Sequence, residues 1–392
     1  MSSESSKLTN ILIISAMTQD SSSQPSNDQR ITRLTPLRSI LKLIEAKVGA
    51  IAPRRCAPAA ALGATLAEDV AAPMLPRQPL ALRDGYAVEA AATTDASSYA
   101  PIPLATVPPR VDTGEALPAG TDAVAPFDAV GLRGGRAEAI AAVAAGEGVL
   151  TTGADAMPDA PLRRAGERLR GLDTVIMSAV GTADLAVRQP RLHIVSGTQA
   201  KSPLTDTARA ILLRLVTADG GIVLDEAVSL EAALADEKAE AVIGIGGTGS
   251  GRHDSSVATL AERGRVEAHG IAISPGDTAA FGWAGARPVL LIPGRLDATL
   301  AVWLLIGRPL LAKLAGSKAK ARPAALPLKR KAASAIGMTE LIPVRCAGGM
   351  AEPLASGYLS MTALTQSDGF IVVPADSEGF AAGTEVAVTP WD

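Results

Sequence analysis

Apolar and polar positions fall into successive regimes along the chain. Residues 1–33 are rich in Ser, Gln, Asn and Asp, as in TQDSSSQPSNDQR, and carry too little apolar surface to offset their ordering entropy; they read as a disordered tail. From Thr35 the period becomes helical. In TPLRSILKLIEAKVGAI, Leu37, Ile40, Leu41 and Ile44 form one stripe, with Thr35 as N-cap and Pro36 at the first helical position. AAALGATLAED (59–69) reads as a second helical piece, and VAAPMLPRQPLALRDGYAV as proline-broken, extended chain. Between about 100 and 188, short apolar runs alternate with Gly and Pro turns, a β pattern able to close a small barrel or sandwich. From 189 to 316 strands and helices alternate. PRLHIVSG, IVLDEAV, AEAVIGIGG and RPVLLIPG are strands; TDTARAILLRLVTADGG, SLEAALADEK, SSVATLAERG and LDATLAVWLLIGRPLLAKLAG are helices. Gly220-Gly221 ends the first of these helices and Ser229 caps the second. Such alternation predicts a doubly wound parallel α/β sheet. SKAKARPAALPLKRKA is a basic connector, and the chain then returns to short strands.

The expected organisation is an α/β multidomain protein. A tail (1–33) leads into a helical and β-barrel-like region (34–188), then the α/β domain (189–318), a linker (319–334) and a small all-β domain (335–392). Nearly half of the 392 residues are apolar, enough for a sizeable core, and aromatics are only 3%. A net charge of −3 sets up no field for nucleic acid. Two distant cysteines, Cys56 and Cys346, make neither a disulfide framework nor a zinc site. The histidines His193, His253 and His269 form no metal-binding spacing. No apolar run reaches the roughly 18–20 residues of a spanning helix, so no membrane association and a cytoplasmic location are expected.

Candidate chemistry gathers where strands of the α/β domain end. GIGGTGSGRHD (Gly244–Asp254) runs from a strand into a helix. Bare backbone there can approach an anion beside the positive helix terminus. It is neither a Walker loop nor a dinucleotide fingerprint. Asp254 has two readings, a helix N-cap or a carboxylate that holds a divalent ion beside a phosphate. HIVSGTQAKS and LLIPGRLDATL end two further strands with Ser196, Gly197 and Thr198, and with Pro293 and Gly294. Together the three loops suggest one crevice for an extended polar ligand.

At these residues a family likeness enters, running from about residue 34 to the C-terminus. LAEDVAAPMLPRQPLALRDGYAV, VDTGEALPAGTDAVAP, RRAGERLRGLDTVIMSAVGTADLAV, GIGGTGSGRHD, HGIAISPGDTAAFG, LIPGRLDATLAVWLLIGRPLLAKLAG and YLSMTALTQSDGFIVVPADSEGFAAGTEVAV resemble, in order, the blocks of the MoeA/gephyrin E-domain family of molybdopterin molybdenumtransferases. The resemblance implies magnesium-dependent cleavage of adenylated molybdopterin with insertion of molybdate. It also implies a homodimer in which the DGYA block helps form the partner's site, with a molybdopterin adenylyltransferase and a molybdoenzyme as protein partners. It assigns Asp84 and Asp254 as catalytic, with Asp254 also on the metal. Thr113, Ser196, Gly197, Thr198, Gly246, Gly247, Thr248, Gly249, Ser250, Pro293 and Gly294 line the ligand.

Several positions depart from the family pattern. Its Gly-Glu-Asp reads Gly166-Glu167-Arg168, the acids of its Ser-Thr-Gly-Asp-Glu loop are Gln199 and Ala200, and its two anion-binding lysines are Ser274 and Asp277. Each lost lysine contact is of the kind that contributes about 1.5–3 kcal/mol. Arg252, Arg295 and Lys201 are the candidates to replace them. The loop GGTGSGRHD is also similar to that of the adenylyltransferase (MogA-type) domain. Beside the insertase reading stand a catalytically impaired molybdopterin-binding or handover protein and a scaffold without pterin affinity.

Overall fold

The computed structural model describes residues 29–197, 203–224, 229–319 and 323–391. At its centre lies a six-stranded sheet. Its elements are β1 (Arg191–Ser196), α1 (Pro203–Ala218), β2 (Ile222–Leu224), α2 (Leu230–Ala235), β3 (Ala241–Ile245), α3 (Ser256–Arg263), β4 (Arg265–His269), β5 (Ala280–Ala284), β6 (Arg287–Ile292) and the continuous helix α4 (Leu296–Ala315). The order across the sheet is β2-β1-β3-β6-β5-β4. The first four strands are parallel; β4 and β5, joined by HGIAISPGDTAAFG, add an antiparallel edge. Strand residues alternate between two cores. Leu192, Ile194, Ile243, Ile245, Leu290 and Ile292 face α1, α4 and the helix Leu37–Lys47. Val195, Val242, Val289 and Leu291 face α2 and α3. Chain order reverses direction between β1 and β3, the switch point beyond which α/β sheets bind ligands.

Several local expectations change on contact with the structure. The first helix begins at Leu37 with Pro36 as its N-cap; Thr35 instead bridges to Ile271, its amide bonded to the Gly270 carbonyl at 2.9 Å. Residues 59–69 give a single 3-10 turn, Pro58–Ala61, and the short strand Thr65–Leu66, because positive-φ Gly63 stops the helix. Within the β-patterned stretch, Gly171–Ala179 is helical, started by Asp173, whose carboxylate accepts from the Arg170 amide. The helix α4 is long and apolar enough to span a bilayer, unlike any uninterrupted apolar run in the sequence. It is 72% buried within the protein and forms its central core helix.

The N-terminal region is built from small antiparallel sheets, Arg110–Val111/Gly85–Val88/Ala123–Ala125 among them. The C-terminal sheet pairs Thr339–Ala347, Gly369–Val373, Glu385–Pro390 and Ala324–Pro327. It borrows Ile273–Ser274 from the α/β domain as an edge strand.

Candidate active site

Three glycine turns meet at the carboxyl ends of β1, β3 and β6. The Gly197 amide donates to the Ile245 carbonyl at 2.8 Å, and the Gly246 amide to the Ile292 carbonyl at 2.8 Å. Gly246 and Gly247 take left-handed φ of +84° and +72°, which glycine adopts without penalty. A Cβ on Gly197 would stand 2.3 Å from the Gly246 oxygen. One on Gly247 would stand 2.4 Å from the Gly197 oxygen, and one on Gly294 3.4 Å from the Gly246 Cα. Pro293 holds the third turn, its carbonyl accepting from the Thr299 hydroxyl at 2.9 Å. The structure therefore packs Gly197, Gly246, Gly247, Pro293 and Gly294 into one junction, with Ser196 at the exposed end of β1. Thr198 and Lys201 lie outside the described residues.

Beyond the junction the loop divides. Gly246, Gly247 and Thr248 are buried. The Thr248 hydroxyl meets the Thr278 hydroxyl at 3.0 Å, and its carbonyl meets His269 Nε2 at 2.9 Å, so both groups serve the loop's own shape. From Gly249 the chain opens to solvent. Asp254 folds back, its Oδ2 accepting from the Gly251 amide at 2.9 Å, and the α3 N-cap is Ser255. A side chain on Gly249 or Gly251 would meet that carboxylate at 2.8 or 3.1 Å. The amides of Gly249 and Ser250 carry no hydrogen bond within the described residues, so they are the donors open to an anion.

The amides at the α3 terminus are not open. Gln29, 9% exposed, reaches across from the N-terminal segment. Its Oε1 accepts from Val257 and Ala258 amides at 2.9 and 3.1 Å, and its Nε2 donates to the Gly247 and Gly249 carbonyls at 3.1 and 3.0 Å. The Ser256 amide donates to the Gly247 carbonyl. Residues 29–33, expected within the tail, are instead held by four hydrogen bonds at Gln29 and the packing of Ile31 on Gly270; residues 1–28 lie outside the described residues. Sequence reasoning missed this residue; its amide in a polar stretch carries no periodic signal.

Asp84 and Thr113 pair elsewhere. Both are exposed, and Asp84 Oδ1 accepts from the Thr113 amide at 2.7 Å and hydroxyl at 2.9 Å. The amide first and the hydroxyl second hold the Asp84 carboxyl below the usual carboxylate range. Among the described residues no hydrogen bond joins this pair to the glycine loop. Arg295 is committed: its guanidinium forks onto buried Asp297 at 2.5 and 3.1 Å and sits 5.4 Å over the Tyr358 ring. The hydrogen bond it donates to Asp297 pushes its pKa up. Of the two arginines expected to replace the lost lysines, only Arg252 is left, exposed on the loop itself.

Comparison with known proteins fits this architecture piece by piece. Models of the MoeA N-terminal region (domains I and II), of a "Probable molybdopterin binding domain" and of the MoeA C-terminal region (domain IV) match residues 35–181, 194–313 and 325–391, in that order. The chain belongs to the MoeA family. A molybdopterin molybdenumtransferase of Haemophilus influenzae is 26% identical over 379 residues, covering 83% of this chain and 91% of that protein. A crystal structure of a molybdopterin biosynthesis MoeA protein from Pyrococcus horikoshii superposes with a TM-score of 0.70 at 28% identity, over 92% of this chain and all of that one. A second structure of that organism's protein shares the fold, with a TM-score of 0.72 at 24% identity over 91% of this chain. In this family context the glycine junction occupies the molybdopterin-binding domain.

Proposed function

We propose that this chain is a transferase of molybdenum-cofactor biosynthesis that inserts molybdate into adenylated molybdopterin, with release of AMP. The carrying observation is the junction of Gly197, Gly246, Gly247 and Gly294 at the sheet's switch point, in a MoeA family chain. Tight glycine packing fixes where the strand-end backbone stands, and the Gly249 and Ser250 amides beside it meet a phosphate or oxyanion. Asp254 stands at the far side of that opening. Magnesium takes oxygen ligands, typically one or two carboxylates with substrate phosphates and water. Among the described residues no three His, Cys, Asp or Glu side chains cluster. Asp254 is the carboxylate on the glycine loop that would hold a magnesium ion, with substrate completing its ligands; when bound the ion would neutralise the phosphoryl oxygens of the adenylate.

Asp84 and Thr113 reach a site of this kind through a homodimer. An apolar helix face supports that reading: Leu172, Val175 and Ile176 of Gly171–Ala179 are 63%, 65% and 39% exposed beside Leu62, exposed at 59%. The direct test is cofactor formation from adenylated molybdopterin, molybdate and magnesium. Wild type should turn over and Asp254→Ala should lose at least about a hundredfold in kcat. Absence of turnover in the wild type, or an unchanged Asp254→Ala, overturns the insertase reading. Molybdopterin binding without cleavage would instead select a handover protein, the reading that the committed Arg295 and the lysine-free Ser274 and Asp277 positions support. Mixing inactive Asp84→Ala and Asp254→Ala chains should restore up to about a quarter of wild-type activity, since half the dimers would carry one intact shared site.

A further inference from the structure

Arg168 stands where the family pattern carries an acid, beside the amino end of β2 and so at the opposite end of the strands from the glycine junction. Its Nε donates to the Gly63 carbonyl at 2.9 Å, close to Gly220, which precedes the start of β2. The guanidinium is partly buried and forms no ion pair among the described residues, although the nearby Asp219 carboxylate supports its charge. The neighbouring Asp219 is already taken by Trp303 Nε1 at 2.8 Å and Arg308 Nε at 2.9 Å. Burial, first, and then Arg308 work against its charge. Arg168 opens into a cavity of about 930 Å³ that Arg163, Arg164 and Lys318 also line. The two acids in the wall are engaged. Asp69 accepts the Ala165 amide at 2.7 Å, and Glu167 accepts the Arg164 amide at 2.9 Å while pairing with Arg163 at 3.3 Å. Arg163 Nε is buried without a hydrogen bond, and the Lys318 amide bonds the Gly166 carbonyl at 2.9 Å, which closes the wall between the N-terminal region and the end of the α/β domain.

We propose that this cavity is a second anion site, built for an oligophosphate group, free or carried on a nucleotide. Arg163 is held by Glu167 and Asp173 at 3.3 and 3.5 Å, which leaves Arg164, Arg168 and Lys318 without an ion pair among the described residues; guanidinium forks match phosphate oxygens, and an anion would compensate the partly buried Arg168. The volume leaves room for a nucleoside beside the phosphates. The test is calorimetric titration of the full-length protein with tripolyphosphate, and separately with ATP, at low and at raised salt. Saturable binding of tripolyphosphate is expected, weakened by salt. Arg168→Asp, which places the family's acid there, and Lys318→Glu, on an exposed residue, should each weaken it at least tenfold; Arg38→Glu on the first helix should not. Tighter binding of ATP identifies the nucleotide as the source, and equal binding the phosphate alone. The proposal falls if no saturable heat appears up to millimolar anion, if both cavity variants bind like wild type, or if only Asp254→Ala abolishes binding.

Discussion

Gln29 ties the glycine loop to α3 with both faces of one amide, and its loss should be felt beyond its size. Gln29→Ala leaves the Gly249 carbonyl and two helix amides without partners, while the Gly247 carbonyl keeps Ser256. The expected cost is about 2–4 kcal/mol, read as a lowered urea midpoint at unchanged slope. Gly197→Ala sets a methyl 2.3 Å from the Gly246 oxygen. We expect a loss of at least about 2 kcal/mol there, measured in the same way. The Asp84 pair gives a pH signature. A carboxyl held below its unfolded value contributes stability above the ordinary carboxylate range and loses it as pH falls through the lowered value. Thr113→Ala removes the hydroxyl but not the amide, so the Asp84 carboxyl should titrate at higher pH, though still below normal, in an NMR titration. The glycines are legible in the sequence because only glycine tolerates their φ and close approach. Gln29 is not, because its partners lie more than 200 positions away.

At the level of elements, the alternation of strand and helix from 189 to 316 is legible because each strand is buried on both sides and each helix has one apolar stripe. The antiparallel edge, β5 and β4, is harder to see, as its hairpin is interrupted by the Pro275–Gly276 turn. GLDTVIMSA shows the opposite failure. Its β-branched Thr174, Val175 and Ile176 favour a strand by propensity, yet tertiary packing of Met177 and the Asp173 start make it helical. Asp173 is 5% exposed and held below the usual carboxylate range, first by its hydrogen bond from Arg170. Asp173→Ala strips the bidentate partner from Arg170 and one of two carboxylates from Arg163, and opens the helix start. We expect a loss of about 3 kcal/mol, seen as a lowered thermal midpoint.

For the whole molecule, neither quaternary structure nor the meeting of distant loops follows from local pattern. The exposed Leu172 and Val175 are the place to probe assembly. Val175→Asp should shift the proposed homodimer toward monomer in sedimentation velocity and lower cofactor formation with it, while leaving the far-UV spectrum unchanged. The same long-range geometry has a practical side. Because residue 29 is pinned at the mouth of the crevice, the 28 residues before it start from that mouth. Trp391, near the other end, is docked on Phe370 instead. A purification handle fused directly ahead of Gln29 would leave the protein beside the ligand opening and screen it. One fused after Asp392 would leave from the small β domain, and comparing the two fusions in the same titration would show how much of the opening such a handle covers.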